Sequence, residues 1–157
     1  MAIHPPNHEH IDDEMWKLEV NLDDTPGEWL GYVMDKLLEA GANDVYYSPI
    51  YMKKNRPAVQ LHLLCHQSQL DVMRQILLTE TTTLGYRYYP ITVFRMERRE
   101  RIVDTEWGPI RVKEGIQNGK VIKASPEYED CRQIAEKYQL PLKFVYEAVW
   151  KMNNIDE

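Results

Sequence analysis

Trp16, Leu18, Val20 and Leu22 alternate with Lys17, Glu19 and Asn21 in "MWKLEVNL", the period of a strand that buries one face. From Thr25 the period changes to that of a helix, with Trp29, Leu30, Val33, Met34, Leu37 and Leu38 on one stripe. Thr25 is suited to cap it, Pro26 to its first position and Glu28 to a capping box, and Gly41 is its stop. A second strand is predicted over 44–52. The third, over 58–66, alternates Val59, Leu61, Leu63 and Cys65 against Gln60 and His62. Ser68 opens a second helix with Leu70, Met73, Ile76 and Leu77 inside, ended by Thr81, Thr82, Thr83 and Gly85. An extended stretch begins near Tyr86.

Strand-helix-strand-strand-helix-strand is the split βαβ order of an α+β, ferredoxin-like (βαββαβ) fold, expected over residues 15–97. Its second and fourth strands lie at the sheet edges, and Pro49 and Pro90 fall in those two strands, where a missing ladder donor is tolerated. A smaller unit follows over 98–157: strands near 100–107 and 109–116, an Asn118-Gly119 turn, and a strand through Ile122. Two helices close it. Ser125 and Pro126 start the first, with Glu127, Glu129 and Asp130 in a first turn whose dipole favours acids; Leu142, Val145, Tyr146, Val149 and Trp150 form the stripe of the second.

The lead-in "MAIHPPNHEHIDDE", residues 1–14, is nearly devoid of apolar side chains and reads as flexible. His4, His8 and His10 within it are able to chelate a divalent metal such as nickel, although a polar tail needs no such role. Of the 157 residues 43% are hydrophobic, enough to bury a core, and no run approaches the length of a membrane span. The absence of an apolar signal core places the chain in the cytoplasm, and two isolated cysteines, Cys65 and Cys131, fit that compartment. A net charge of −6 argues against a general nucleic-acid or anionic-membrane binder.

Against that acidic background "YMKKNRPAVQL" holds Lys53, Lys54 and Arg56 at a strand-to-strand turn. Taken alone, such a run is a solvated hairpin tip. The topology brings four segments to one end of the sheet: "NLDDT" (21–25), "MKKNRP" (52–57), "ETTTLGYR" (80–87) and the helix amides after Thr25. Lys53, Lys54, Arg56 and Arg87 offer charge and forked donors for phosphate oxygens, with hydroxyls from Thr81, Thr82 and Thr83. Asp23 and Asp24 offer hard oxygens for magnesium or manganese. Each part has a structural alternative, as dipole complement or helix-end chemistry. Together they suit a metal-bound polyphosphate, which Lys113 and Lys123 of the smaller unit would extend.

"LEVNLDDTPGEWLGYVMDKLLEAGANDVYYSPIYMKKNRPAVQLHLLC", "ETTTLGYR" and "PEYEDC" resemble the C-terminal part of the LarC family of nickel-insertion proteins, which mature the nickel-pincer cofactor of lactate racemase; the likeness runs from about Leu18 to Trp150. The resemblance implies a CTP-dependent cyclometallase that inserts Ni²⁺ into pyridinium-3,5-bisthiocarboxylic acid mononucleotide with CTP consumed. It also implies CTP bound with Mn²⁺ or Mg²⁺, and a homo-oligomer. Carried onto this chain, it offers Asp23, Asp24 and Glu80 on the metal side, and Lys53, Lys54, Arg56, Thr82 and Arg87 for phosphates. Family proteins are longer at the N-terminus, so this chain is expected to be the nucleotide-binding portion, with the N-terminal part of the same protein as its partner. Cys131 is a further nickel-ligand candidate whose plainer reading is a packed residue. A non-catalytic nucleotide-sensing module is the alternative; a single-stranded RNA binder lacks the aromatic signature and the charge.

Overall fold

The structure, a computed structural model, describes residues 10–153, with side chains over 11–152. It divides into two compact units between Val93 and Phe94, inside the fourth strand, which ends at Arg95. The first contains β1 (His10–Leu22), α1 (Gly27–Glu39), β2 (Asp44–Met52), β3 (Arg56–His66), α2 (Leu70–Glu80) and β4 (Arg87–Arg95). Its sheet has the order β2-β3-β1-β4, that of the ferredoxin-like fold. β2 and β4 are its edges, so Pro49 and Pro90 sit where predicted. β3 lies antiparallel between β2 and β1, with Leu18 opposite Leu63 and Val45 opposite Leu63 on the other side. Leu18, Val20, Leu22, Leu61, Leu63 and Cys65 project from one sheet face onto Val33 and Leu37 of α1 and Met73 and Leu77 of α2, all buried.

Three local expectations are corrected. The lead-in read as flexible through residue 14 gives way to strand at His10. Pairing of β1 with β3 begins only at Met15 opposite His66; residues before it have no β3 partner, which is why they carry no apolar alternation to read. Thr25 does not cap α1: Pro26 occupies that position and no side chain caps it. The Thr25 hydroxyl is engaged elsewhere, as described below. Ser125 and Pro126 do not open a helix but end β7, and Glu127 precedes α3 instead. Ser125 pairs with Lys113 and Pro126 with Val112, so ladder pairing overrides the local start signal. On the predicted α1 stripe, Trp29 and Leu38 stay largely exposed.

The second unit is a meander of β5 (Glu97–Thr105), β6 (Gly108–Gln117) and β7 (Lys120–Pro126), followed by α3 (Tyr128–Tyr138) and α4 (Leu142–Asn153). Asn118 (φ 50°) and Gly119 (φ 75°) are both left-handed, the two-residue turn that Asn-Gly favours. Ile110 and Val112 pack with Cys131 of α3 and with Val145 and Val149 of α4, all fully buried. Among the described residues no helix is long and apolar enough to cross a membrane.

Candidate functional site

Leu22 ends β1 and the chain turns through Asp23, Asp24 and Thr25 into α1, while α2 ends at Glu80 and turns through the three threonines towards β4. The turns meet. The Thr25 and Thr82 hydroxyl oxygens are 2.6 Å apart, and the Thr82 hydroxyl donates to Asp24 Oδ1 at 2.5 Å. Thr82 has one proton and gives it to the carboxylate, so Thr25 is the donor to Thr82. The hairpin joins from the other side, where Arg56 Nη1 donates to Asp23 Oδ2 at 3.2 Å. Arg87 Nη2, at the entrance to β4, donates to Asn21 Oδ1 at 3.0 Å. The three chain segments read as one end of the sheet are thus linked by side chains, and Thr25 is drawn from its expected capping role into that linkage.

The threonines divide. Thr81 is buried and donates to Leu77 O at 2.6 Å; its own oxygen accepts from Thr83 N at 3.2 Å, and Thr83 donates to Gly85 O at 2.6 Å. Those two hydroxyls close the end of α2, leaving Thr82 as the one aimed at Asp24. Lys53 and Lys54 are exposed at the hairpin tip and form no ion pair among the described residues. Lys54 (φ 63°, ψ 23°) and Asn55 (φ 56°) are left-handed.

Glu80 is not brought to the aspartates. Its carboxylate is ion-paired with Lys36 of α1, whose ammonium lies 5.1 Å from the Tyr32 ring centre. Among the described residues no group of three or more His, Cys, Asp or Glu side chains is placed to hold a metal ion. A nucleotide-bound Mg²⁺ or Mn²⁺ needs only one or two protein carboxylates, because phosphates and water fill the remaining positions. Asp23 and Asp24 stand on consecutive residues with separate partners, Arg56 and Thr82. Lys113 and Lys123 belong to the C-terminal unit: Lys113 pairs with Glu127 at 2.5 Å, and Lys123 is exposed on β7.

The sheet face opposite the helices carries a polar row absent from the sequence-based site. Tyr46, His62 and Glu19 stand opposite one another on β2, β3 and β1. Tyr89 of β4 donates to Glu19 Oε1 at 3.0 Å, Lys17 reaches the same oxygen at 3.2 Å, and Arg87 Nε lies 3.7 Å from Oε2. Burial pushes the Glu19 carboxyl up, but the Tyr89 hydroxyl and the Lys17 ammonium outweigh it and hold the group below its ordinary range. His62 is only 7% exposed, stacks on Tyr46 at 4.5 Å, and neither ring nitrogen has a hydrogen-bond partner among the described residues. Burial, then Lys17, lowers its pKa, so it is neutral near pH 7. The signal was present in the alternation, since Glu19 and His62 are polar positions of predicted strands. Their cross-strand pairing was not.

Both cysteines are fully buried, and burial pushes each thiol up to about 11. Cys131 packs among Ile110, Val112 and Val145, an environment that disfavours the thiolate a metal requires. His4 and His8, and the side chain of His10, lie outside the described residues.

A family model described as nickel insertion protein matches residues 2–146. The curated pyridinium-3,5-bisthiocarboxylic acid mononucleotide nickel insertion proteins of Acetivibrio thermocellus and Thermotoga petrophila are 50% and 42% identical over 143 and 134 residues. Those alignments take in 91% and 85% of this chain but 35% and 34% of the relatives, so the chain spans about a third of the length of the curated relatives it matches. Among solved structures it is similar to LarC2, the C-terminal domain of a cyclometallase involved in the synthesis of the NPN cofactor of lactate racemase, in its apo form. That likeness has a TM-score of 0.85 at 39% identity and covers 95% of this chain and 99% of the other. Protein MK0293 from Methanopyrus kandleri AV19 shares the fold, with a TM-score of 0.67 at 24% identity over 87% of this chain and 86% of its own. On the family match and these identities, the chain belongs to the nickel insertion protein family.

Proposed function

We propose that this chain is the CTP-binding portion of a CTP-dependent nickel insertase, a cyclometallase that places Ni²⁺ into pyridinium-3,5-bisthiocarboxylic acid mononucleotide to form the nickel-pincer cofactor. The observation that carries the reading is the linked end of the ferredoxin-like sheet, where Asp24, Thr82 and Thr25 form one hydrogen-bonded chain and Arg56 meets Asp23. Lys53, Lys54 and Arg56 neutralise phosphate charge, and Thr82 gives a hydroxyl that can turn between carboxylate and phosphate. Asp24 and Asp23 hold the divalent ion, which supplies charge neutralisation and orients the triphosphate. Arg87 steadies the β1 exit through Asn21. The likeness to the LarC2 domain supports the same assignment.

Nickel is the substrate metal. A borderline ion needs fixed nitrogen or sulfur donors to be held and then released. Both cysteines here are buried with raised pKa values, so the nickel ligands come from the part of the family proteins that this chain does not span. The test uses Ni²⁺, Mn²⁺, CTP and the organic precursor, with mass spectrometry of the small-molecule fraction. A full-length relative yields nickelated product and this chain alone yields none. Product from this chain alone would contradict the division of labour.

A further inference from the structure

The C-terminal unit has a cavity of its own, about 200 Å³, between α3 and the β5–β6 hairpin. One wall is a single helix face, since Asp130, Gln133, Ile134 and Lys137 fall at i, i+3, i+4 and i+7 of α3. The other wall is Trp107, which is partly buried against the unit's core and also lines the cavity. The Thr105 hydroxyl donates to Gly108 O at 2.7 Å and accepts from Trp107 N at 3.3 Å. The turn that carries the indole is therefore tied shut, and Gly108 (φ 125°) supplies a backbone conformation that residues with a Cβ rarely adopt. Charge divides along the helix wall. Asp130 accepts from Arg111 Nη2 at 2.7 Å and from Arg111 Nε and N at 2.9 Å each. The Arg111 guanidinium holds its carboxyl below the ordinary range, so Asp130 is both fixed and ionised. Two helical turns on, the Lys137 ammonium lies 5.1 Å from the Tyr138 ring centre and has no ion-pair partner among the described residues. Arg132, the other cation of α3, is taken up by Glu129 and Glu136. Arg111 offsets the Asp130 charge, so Lys137 leaves the cavity net positive beside an aromatic wall.

We infer that this cavity receives the pyridinium ring of the organic precursor, stacked on Trp107, with one of its thiocarboxylates on the Lys137 ammonium. The inference rests on the nickel-insertase reading above and adds a seat for the organic substrate, in the unit that contains neither the aspartates nor the hairpin cations. The ring is a cation, and tryptophan is the best aromatic face for one. Its thiocarboxylates are anions, which an unpaired ammonium attracts. The precursor thus carries both signs on one flat ring, and the cavity answers each with a different wall. None of the lining residues is a Cys or a His, so the seat binds and orients the ring and supplies no soft donor for nickel.

The probe is N-methylpyridinium-3,5-dicarboxylate, a stable oxygen analogue without ribose or phosphate, titrated calorimetrically into the full 157-residue chain. Pyridine-3,5-dicarboxylate is the control with an uncharged ring, and N-methylpyridinium the control without acids. The probe should bind saturably and each control at least roughly twofold more weakly. Lys137→Glu, a change at an exposed position, should weaken the probe roughly three- to tenfold and leave N-methylpyridinium no weaker. Trp107→Leu should weaken both roughly two- to thirtyfold, the range of one cation–π contact. Because Trp107 packs against the core, folding of that variant is checked by circular dichroism, and Lys137→Glu decides the matter if it fails to fold. Mn²⁺–CTP affinity is measured on the same samples, which keeps the two sites apart. No saturable probe binding by a chain that binds Mn²⁺–CTP, or probe binding that Lys137→Glu leaves intact, overturns the ring seat while the nucleotide reading stands. Probe binding weakened by these substitutions, in a chain that does not bind Mn²⁺–CTP, supports the seat and overturns the nucleotide reading.

Discussion

Lys54 has a left-handed backbone (φ 63°, ψ 23°), which costs a residue with a Cβ about 1–2 kcal/mol. Strain of this kind concentrates where function holds a side chain in place. Lys54→Gly removes it at the expense of about 0.5–1 kcal/mol of extra unfolded-chain entropy, so stability should rise slightly or hold in thermal denaturation. CTP affinity should fall by about 1.5–3 kcal/mol, the range for one charge-assisted contact. A hairpin kept only for folding would show the opposite pair of effects. Thr82→Val keeps the side-chain shape and deletes both the bond to Asp24 and the acceptor for Thr25. It should weaken Mn²⁺–CTP binding by roughly tenfold and cost about 1 kcal/mol of stability. At this scale the sequence showed which residue types converge but not how they divide. Three adjacent threonines look equivalent; Thr81 and Thr83 make local helix-end bonds, and only the tertiary approach of the β1–α1 turn gives Thr82 its partners.

At the scale of elements, the N-terminal sheet rests on side chains such as Leu63, which is fully buried between β1 and β2 and under both helices. Leu63→Ala should cost about 2–5 kcal/mol, measured by denaturant unfolding. In the C-terminal unit Glu114 of β6 is 4% exposed and is held by Arg99 (Nε 2.8 Å, Nη2 2.6 Å) and Arg101 (2.5 Å) of β5. Burial opposes its charge, but the two guanidinium groups outweigh it and lower its pKa below the ordinary 4.5. A lowered folded value means that the group contributes stability above its unfolded pKa and loses that contribution as pH falls through the lower folded one. Melting temperature should therefore drop below about pH 4.5, and Glu114→Gln should flatten part of that drop; an unchanged acid profile would show the cluster to be inert. Periodicity exposed the elements here because each buries one face, and Pro49, Pro90 and Asn118-Gly119 fixed edges and a turn by steric rule. The exceptions have physical causes. The polar start of β1 gave no alternation, Ser125-Pro126 carried a helix-start pattern that β6 pairing overrode, and the Glu114 cluster depends on a cross-strand neighbour invisible to local reading.

The described residues form two cores, one in each unit, in a chain that spans about a third of the length of its curated relatives. Membership of the nickel insertion family was legible from motifs that unite distant segments; the stretches with Asp23, Asp24, Arg56, Thr82 and Arg87 are those the fold links at one end, while "PEYEDC" belongs to the C-terminal unit. What the motifs could not show is the polar row across the sheet face opposite the helices, Tyr46, His62, Glu19 and Tyr89, since it exists only through strand order. We propose that the cations and carboxylates at that end hold a metal-bound triphosphate. Calorimetric titration of this chain with CTP, in the presence and absence of Mn²⁺, decides this. Binding that requires Mn²⁺ and is lost on replacing Asp24 with Ala is the predicted result; equal affinity with and without the metal, or no binding in either condition, would contradict it.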